Sequence, residues 1–200
     1  MNLELSLLQQ INDPTLDRNA RARLRCRLAK ELEEAGNYEG ARSALQGLWH
    51  RIGERPVLDG FDESTKALVL LRAGTLTGWI GSSRQVEGAQ EEAKNLLTES
   101  KLCFEALGNA AGALEAEIEI GWCYFREGAF DQARVTISEA IAKLPDEEND
   151  LRAVAMVRLG DVERVAMRLN DSLRLLMEAI PCVEASGNPS IKGRLHNTLA

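Results

Sequence analysis

The feature that most constrains this chain is a recurrence of small residues in pairs twelve apart, at intervals of about forty residues. Gly121 pairs with Ala133, Gly81 with Ala93, Gly160 with Ser172 and Ala29 with Ala41. The anchors Gly81, Gly121 and Gly160 stand 40 and 39 residues apart. Small side chains at such positions let two helix axes approach closely, and a fixed period of this length is the mark of stacked helical units. Composition agrees. Nine residues are aromatic and five are proline, while 44 % are apolar and 28 % charged. That is a helix-former's inventory, poor in the side chains that fill sheets.

The clearest unit runs from Leu114 to Pro145. From Gly121, Tyr124 follows by three, Gly128 by seven, Phe130 by nine, Ala133 by twelve, Ala140 by nineteen and Pro145 by twenty-four. Gly128 suits the left-handed residue that ends a first helix. Pro145 cannot continue the second. This constellation resembles the tetratricopeptide repeat, a helix–turn–helix unit. The resemblance implies an all-α fold, an α-solenoid of stacked antiparallel helical hairpins wound as a right-handed superhelix. A period near forty exceeds the 34 residues usual for that family, and HEAT-type units share it. The glycine, tyrosine, alanine and proline pattern favours the tetratricopeptide reading.

One array over residues 1–200 follows, with units at about 14–52, 62–107, 110–145 and 150–186 and a partial unit at 189–200. The 52-residue gap from Ala29 to Gly81 calls for an inserted loop, which Arg51–Asp62 supplies with Gly53, Pro56 and Gly60. Asn12-Asp13-Pro14 reads as a helix start, and the acidic stretch Pro145–Asp150 as a cap for the helix after it. Met167 occupies a turn-glycine position, and Pro181 predicts a kink or an early end in its helix. The chain stops at Ala200, where the next anchor falls, without a partner helix for Leu195 and Leu199. The expectation is a fragment of a longer protein.

Charge and cysteine usage narrow the function. The balance of 24 basic against 31 acidic residues, net −7, argues against a direct nucleic-acid or anionic-membrane binder. The N-terminus lacks a basic start and makes a poor signal peptide. The longest apolar run, Ala67–Leu71, is far too short to span a bilayer. Cys26, Cys103, Cys123 and Cys182 show neither zinc nor redox spacing, so a reduced, cytoplasmic protein is expected. Only two histidines exist, His50 and His196, and no phosphate loop or nucleophile elbow appears. No catalytic residue, cofactor or metal is expected.

The resemblance implies that the first helix of each unit lines a concave groove. Carried over by register, the candidate groove residues are Glu115, Ile118, Trp122, Phe125 and Arg126, then Val157, Asp161 and Arg164. Trp122 and Phe125 lie one turn apart on a face that excludes Gly121 and Tyr124. Two readings stand for them: a hot spot for a partner, or ordinary core against an adjoining helix. The paired lysines and asparagines of chaperone adaptors are missing from these positions. The basic run Arg18, Arg21, Arg23, Arg25, Arg27, Lys30 spreads around its helix and reads as a solvated face. The expected function is a protein–protein interaction scaffold that holds a partner protein or peptide segment. The alternative is a sensor or oligomerisation module of a larger signalling or transcription regulator, with its output domain beyond residue 200. Self-association through the open C-terminal end is a further expectation.

Overall fold

The computed structural model describes residues 3–145, 149–186 and 188–199. Among these the chain is all α: α1 Leu3–Ile11, α2 Arg18–Glu34, α3 Tyr38–Ala44, α4 Glu63–Ser83, α5 Ala89–Ala106, α6 Ala110–Arg126, α7 Phe130–Lys143, α8 Asn149–Val165, α9 Leu169–Ala185 and α10 Pro189–Leu199. Packing is mainly between successive helices, as in a helical repeat array. The chain divides into two compact units, Met1–Asn109 and Ala110–Ala200.

The helices end by one device used five times. The residue after the C-cap enters the left-handed region, and its amide and the next one bond back to the last turn. After α6, Gly128 takes φ 79°; its N–H donates to the Phe125 carbonyl at 3.0 Å and that of Ala129 to the Tyr124 carbonyl at 2.9 Å. The same pair of bonds follows α2, α4, α5 and α8. Two of these ends are made by side-chain-bearing residues, Gln85 at φ 53° and Met167 at φ 62°. Helix starts use short polar acceptors: Asp17 Oδ1 takes the Ala20 N–H at 2.8 Å, Asn37 Oδ1 the Gly40 N–H at 2.9 Å, and Asp62 Oδ1 the Thr65 N–H at 2.7 Å.

In unit 1 the small-residue register differs from expectation. Gly81 meets Ala89 rather than Ala93, and it is Gly74 that faces the Ala93 carbonyl and Leu97. Between them Gly78 accepts a hydrogen bond from Gln90 Nε2 at 2.8 Å. The cause is the connection after α4. Residues 85–88 include two more than the 128–129 link after α6, which slides α5 along its partner. Three glycines at successive turns of α4 thus lie against α5.

Three further differences are local. Asp13 caps a turn through Thr15, at 2.9 Å to N and 2.7 Å to Oγ1, and the helix starts at Asp17 instead. Helix α3 stops at Ala44, short of the unit's expected end near residue 52, and beyond it Trp49 is buried and donates from Nε1 to the Glu54 carbonyl at 3.1 Å. Helix α1 was not anticipated; Leu7 and Ile11, one turn apart, seal the α2 end of the unit 1 core. The inserted loop is tied down: the Gly53 N–H donates to both Glu92 carboxylate oxygens at 2.9 Å, and Arg55 pairs with Glu99 at 2.5 Å.

In unit 2, the Gly121–Ala133 and Gly160–Ser172 approaches are present. A Cβ on Gly121 would lie 2.5 Å from Ile137 Cγ1, and Ser172 Oγ donates to the Gly160 carbonyl at 2.8 Å. Helix α9 runs through Pro181 to Ala185; Met177, whose carbonyl loses that partner, is exposed. Leu195 is buried with Ile191 among Ala153, Val157, Leu176, Ala179 and Val183, and Leu199 packs on the same cluster. Their apolar face is therefore covered by α8 and α9, which corrects the expectation that it stands open. Residues 146–148 of the acidic stretch, Gly187 and Ala200 lie outside the described residues. No described helix is long and apolar enough to cross a membrane.

Candidate functional site

The first helices of the unit 2 pairs, α6 and α8, and then α10 bring side chains together around one indole. Trp122 faces Arg158 of α8 and Arg194 of α10, whereas the neighbouring Gly121 faces Ile137 of α7. Phe125, three residues beyond Trp122, stacks on its indole with ring centroids 4.4 Å apart and planes 15° from parallel. Phe125 in turn tilts against Phe130 at 5.9 Å. Three guanidinium groups approach the indole: Arg126 from α6 at 5.7 Å, Arg158 from α8 at 5.3 Å and Arg194 from α10 at 5.6 Å. All three lie within the range at which a cation is attracted to an aromatic face.

Carboxylates pair with the arginines of α8 and its neighbours. Glu119 Oε1 pairs with Arg158 Nη1 at 2.8 Å, both side chains buried. Asp161, one turn beyond Arg158 on α8, accepts from Thr198 Oγ1 of α10 at 3.2 Å and lies 3.6 Å from Arg164. On the other side of α8, Glu163 is buried between Arg134 of α7, at 2.5 Å, and Arg168.

The positions of the expected groove residues are therefore uneven. Glu115, Phe125 and Arg126 are half-buried and Arg164 is exposed, so each offers surface. Ile118 and Val157 are 1 % and 0 % exposed. Both are core rather than groove lining, since the helix pairs pack tightly enough to enclose this edge of α6 and α8. Trp122 is 5 % exposed, a buried platform whose accessible rim is Phe125, Arg126 and Arg194. Asp161 is buried under Thr198.

Three participants were not foreseen. Arg158 stands one residue beyond Val157, the position carried over by register. Arg194 lies on α10, in the partial unit at 189–200 for which no groove residue was expected. Thr198 follows it by one turn.

The corresponding strip of unit 1 is closed in a similar way. Arg72 of α4 pairs with Glu33 of α2 at 2.7 Å, both buried. Burial pushes the Cys26 thiol up to about 12, against the opposing pull of the nearby Arg72. Tyr38 and Trp79 stack at 4.6 Å. The basic run of α2 is spent locally: Arg18 lies over Phe61, Arg21 donates to the Asp13 and Leu16 carbonyls, Arg23 pairs with Asp62, and Arg25 donates to the Ala44 carbonyl.

The four cysteines form no disulfide. Among the described residues no three His, Cys, Asp or Glu side chains are grouped to hold a metal. The geometry offers recognition through aromatic and guanidinium groups. No known protein-family model matches the sequence, and no curated protein matches it.

Proposed function

We propose that this chain is a protein–protein interaction scaffold, a tetratricopeptide-like array of antiparallel hairpins wound as a right-handed superhelix, which holds a partner segment on the strip formed by α6, α8 and α10. The repeat reading is supported by shared construction. Gly121 and Gly160 each lie against a buried aliphatic side chain sixteen residues on, Ile137 and Leu176. Each of these helices is closed by a left-handed residue seven positions past its glycine, Gly128 or Met167.

The observation that carries the binding reading is the clustering of Phe125, Arg126 and Arg194 around a rigid, buried tryptophan. Aromatic and arginine side chains dominate the energetics of protein interfaces. Arg164 extends the cluster into solvent. The arrangement supports the reading of a binding module.

The test is affinity capture with the wild-type chain and with Phe125→Ala, followed by identification of bound proteins. Phe125 is the residue to change because it is half-buried, whereas removing the buried Trp122 ring would cost about 3–5 kcal/mol of stability. The expected result is loss of a discrete partner with the helical circular-dichroism signal unchanged. A partner retained by Phe125→Ala at wild-type affinity would remove this strip as the binding surface.

A further inference from the structure

We propose that two copies of this chain pair through α9, antiparallel about a two-fold axis that passes beside residues 175 and 176. This face belongs to the second helix of its pair and shares no residue with the strip of α6, α8 and α10, so its pairing does not depend on what that strip binds.

Helix α9 packs on α8 and α10. Its buried residues are Ser172, Leu176, Ala179 and Val183, and the first two lie against Gly160 of α8. Four residues spaced by four run along the outer side: Leu169, Leu173, Met177 and Pro181. All are exposed, the first three by more than half. Among the described residues of unit 2, every exposed large apolar side chain except Val135 lies between 165 and 177. Apolar side chains scattered singly over a surface are ordinary, whereas a contiguous row marks a contact surface.

The pattern of the row selects a second copy as its occupant. Residues four apart form a ridge along a helix. The commonest packing of two helices sets such a ridge of one against the same kind of ridge of the other, at about −50°. Two copies meet that condition with one surface, as an isologous contact requires. Leu173 and Met177 are equidistant from residue 175, and so are Leu169 and Pro181. A two-fold there sets each member of a pair against the other in the second copy.

The charges agree. Arg174 and Glu178, each one residue on from Leu173 and Met177, border the row on one side, and their midpoint is residue 176. Both are more than half exposed, and within one chain Arg174 lies 3.3 Å from Glu178 and 3.7 Å from Asp171. The axis brings Arg174 of each copy to Glu178 of the other. Asp171 and Glu184 fall opposite residues 179–181 and 166–168, which hold no acid, so no acidic groups meet. A foreign helix of one charge sign would match only one of Arg174 and Glu178, and a reversed copy matches both. A row of four residues buries less than the roughly 800 Å² per partner of a standard interface, so the expected dimer is weak and forms in the micromolar range.

Sedimentation velocity of the 200-residue chain, over about 5 to 500 µM to bracket a weak interface, tests this. The expected result is a monomer that becomes a dimer as concentration rises. Leu173→Ser, at an exposed site, should weaken the dimer at least tenfold with the helical circular-dichroism signal unchanged. Arg174→Glu and Glu178→Arg each set like charges across the axis and should each weaken it. An equimolar mixture of those two variants should associate about as well as wild type, because the acidic flank of one then meets the basic flank of the other. A chain that stays monomeric at every concentration overturns the proposal and leaves the row to a different protein. A dimer unchanged by Leu173→Ser overturns it by placing the contact on another face. A dimer lost in Leu173→Ser but blind to both charge reversals, or not restored by the mixture, overturns the antiparallel two-fold.

Discussion

Replacing Gly121 by alanine is expected to destabilise unit 2, although the same change in an open helix stabilises. The added Cβ would stand 2.5 Å from Ile137 Cγ1 and 3.5 Å from the Ala133 carbonyl oxygen. Carbon atoms pack at about 3.5–4.0 Å, so the two helices have to separate by about 1 Å. Ile137 has no room to retreat, being 0 % exposed and branched at Cβ. Overpacking of this kind costs about 1–3 kcal/mol. Against it stands the better helix propensity of alanine, about 0.8–1 kcal/mol. The net expectation is a loss of up to about 2 kcal/mol.

Two companion variants isolate the cause. Gly193 of α10 has no atom within 4 Å of its would-be Cβ, so Gly193→Ala carries the propensity term alone and is expected to stabilise by up to about 1 kcal/mol. Ile137→Ala deletes the clashing atom at its own cost of about 2–5 kcal/mol. In that background Gly121→Ala should become stabilising. Urea denaturation followed by far-UV circular dichroism measures all of these, and a thermal midpoint should move by about 2–4 °C for each kcal/mol. If Gly121→Ala proves as stable as wild type, or costs the same with and without Ile137, the close-approach argument is wrong.

Met167→Gly should raise stability by about 1 kcal/mol, since Met167 holds φ 62° with its side chain 79 % exposed and little packing to lose; chemical denaturation shows it, and an unchanged midpoint would deny strain at that turn. Cys26 keeps its proton in the folded chain up to about pH 12, against about 9 when unfolded. Its contribution is thus fully present below pH 9 and declines above it, by about 1.4 kcal/mol per pH unit as the unfolded thiol ionises. The urea midpoint of wild type should fall more steeply from pH 9 to 11 than that of Cys26→Ala, and parallel profiles would contradict the assignment. Glu163→Gln leaves Arg134 and Arg168 without their shared carboxylate. Both arginines are about one-third exposed, which limits the expected loss to about 1–3 kcal/mol by urea denaturation; a neutral result would mean that solvent replaces the carboxylate fully.

What the sequence made legible was local. The ends of α6 and α7 fall where Gly128 and Pro145 place them, because a left-handed residue or a missing N–H stops a helix whatever surrounds it. The Gly121–Ala133 and Gly160–Ser172 approaches were legible because a short connection leaves a helix pair one way to meet. The Gly81–Ala93 pairing failed where the connection changed length by two residues, and sequence spacing alone does not show how a longer link slides two helices. Helix α1 was hidden because its nine residues were weighed only against a signal peptide. The burial of Trp122 was not legible from α6. It depends on Arg158 and Arg194, which approach from two other helices, and periodicity within one helix carries no record of what another lays over it.

The two units also share a construction that separates stability from register. In each, a buried glutamate of one first helix meets an arginine of the next, 39 residues later: Glu33 with Arg72, and Glu119 with Arg158. Each arginine precedes by two residues a glycine at a close helix–helix approach, Gly74 or Gly160. Desolvation consumes most of the Coulombic attraction of such a pair, so an apolar substitute of equal volume would hold the helices about as well. A slip of one helical turn between the two first helices, however, would strand two opposite charges in the interior. The apolar contacts between helix pairs tolerate such a slip far better, because one leucine resembles another. The ion pair therefore favours one alignment of neighbouring hairpins while the glycine two residues on fixes the register inside its own hairpin, and in unit 2 that alignment brings Arg158 over Trp122.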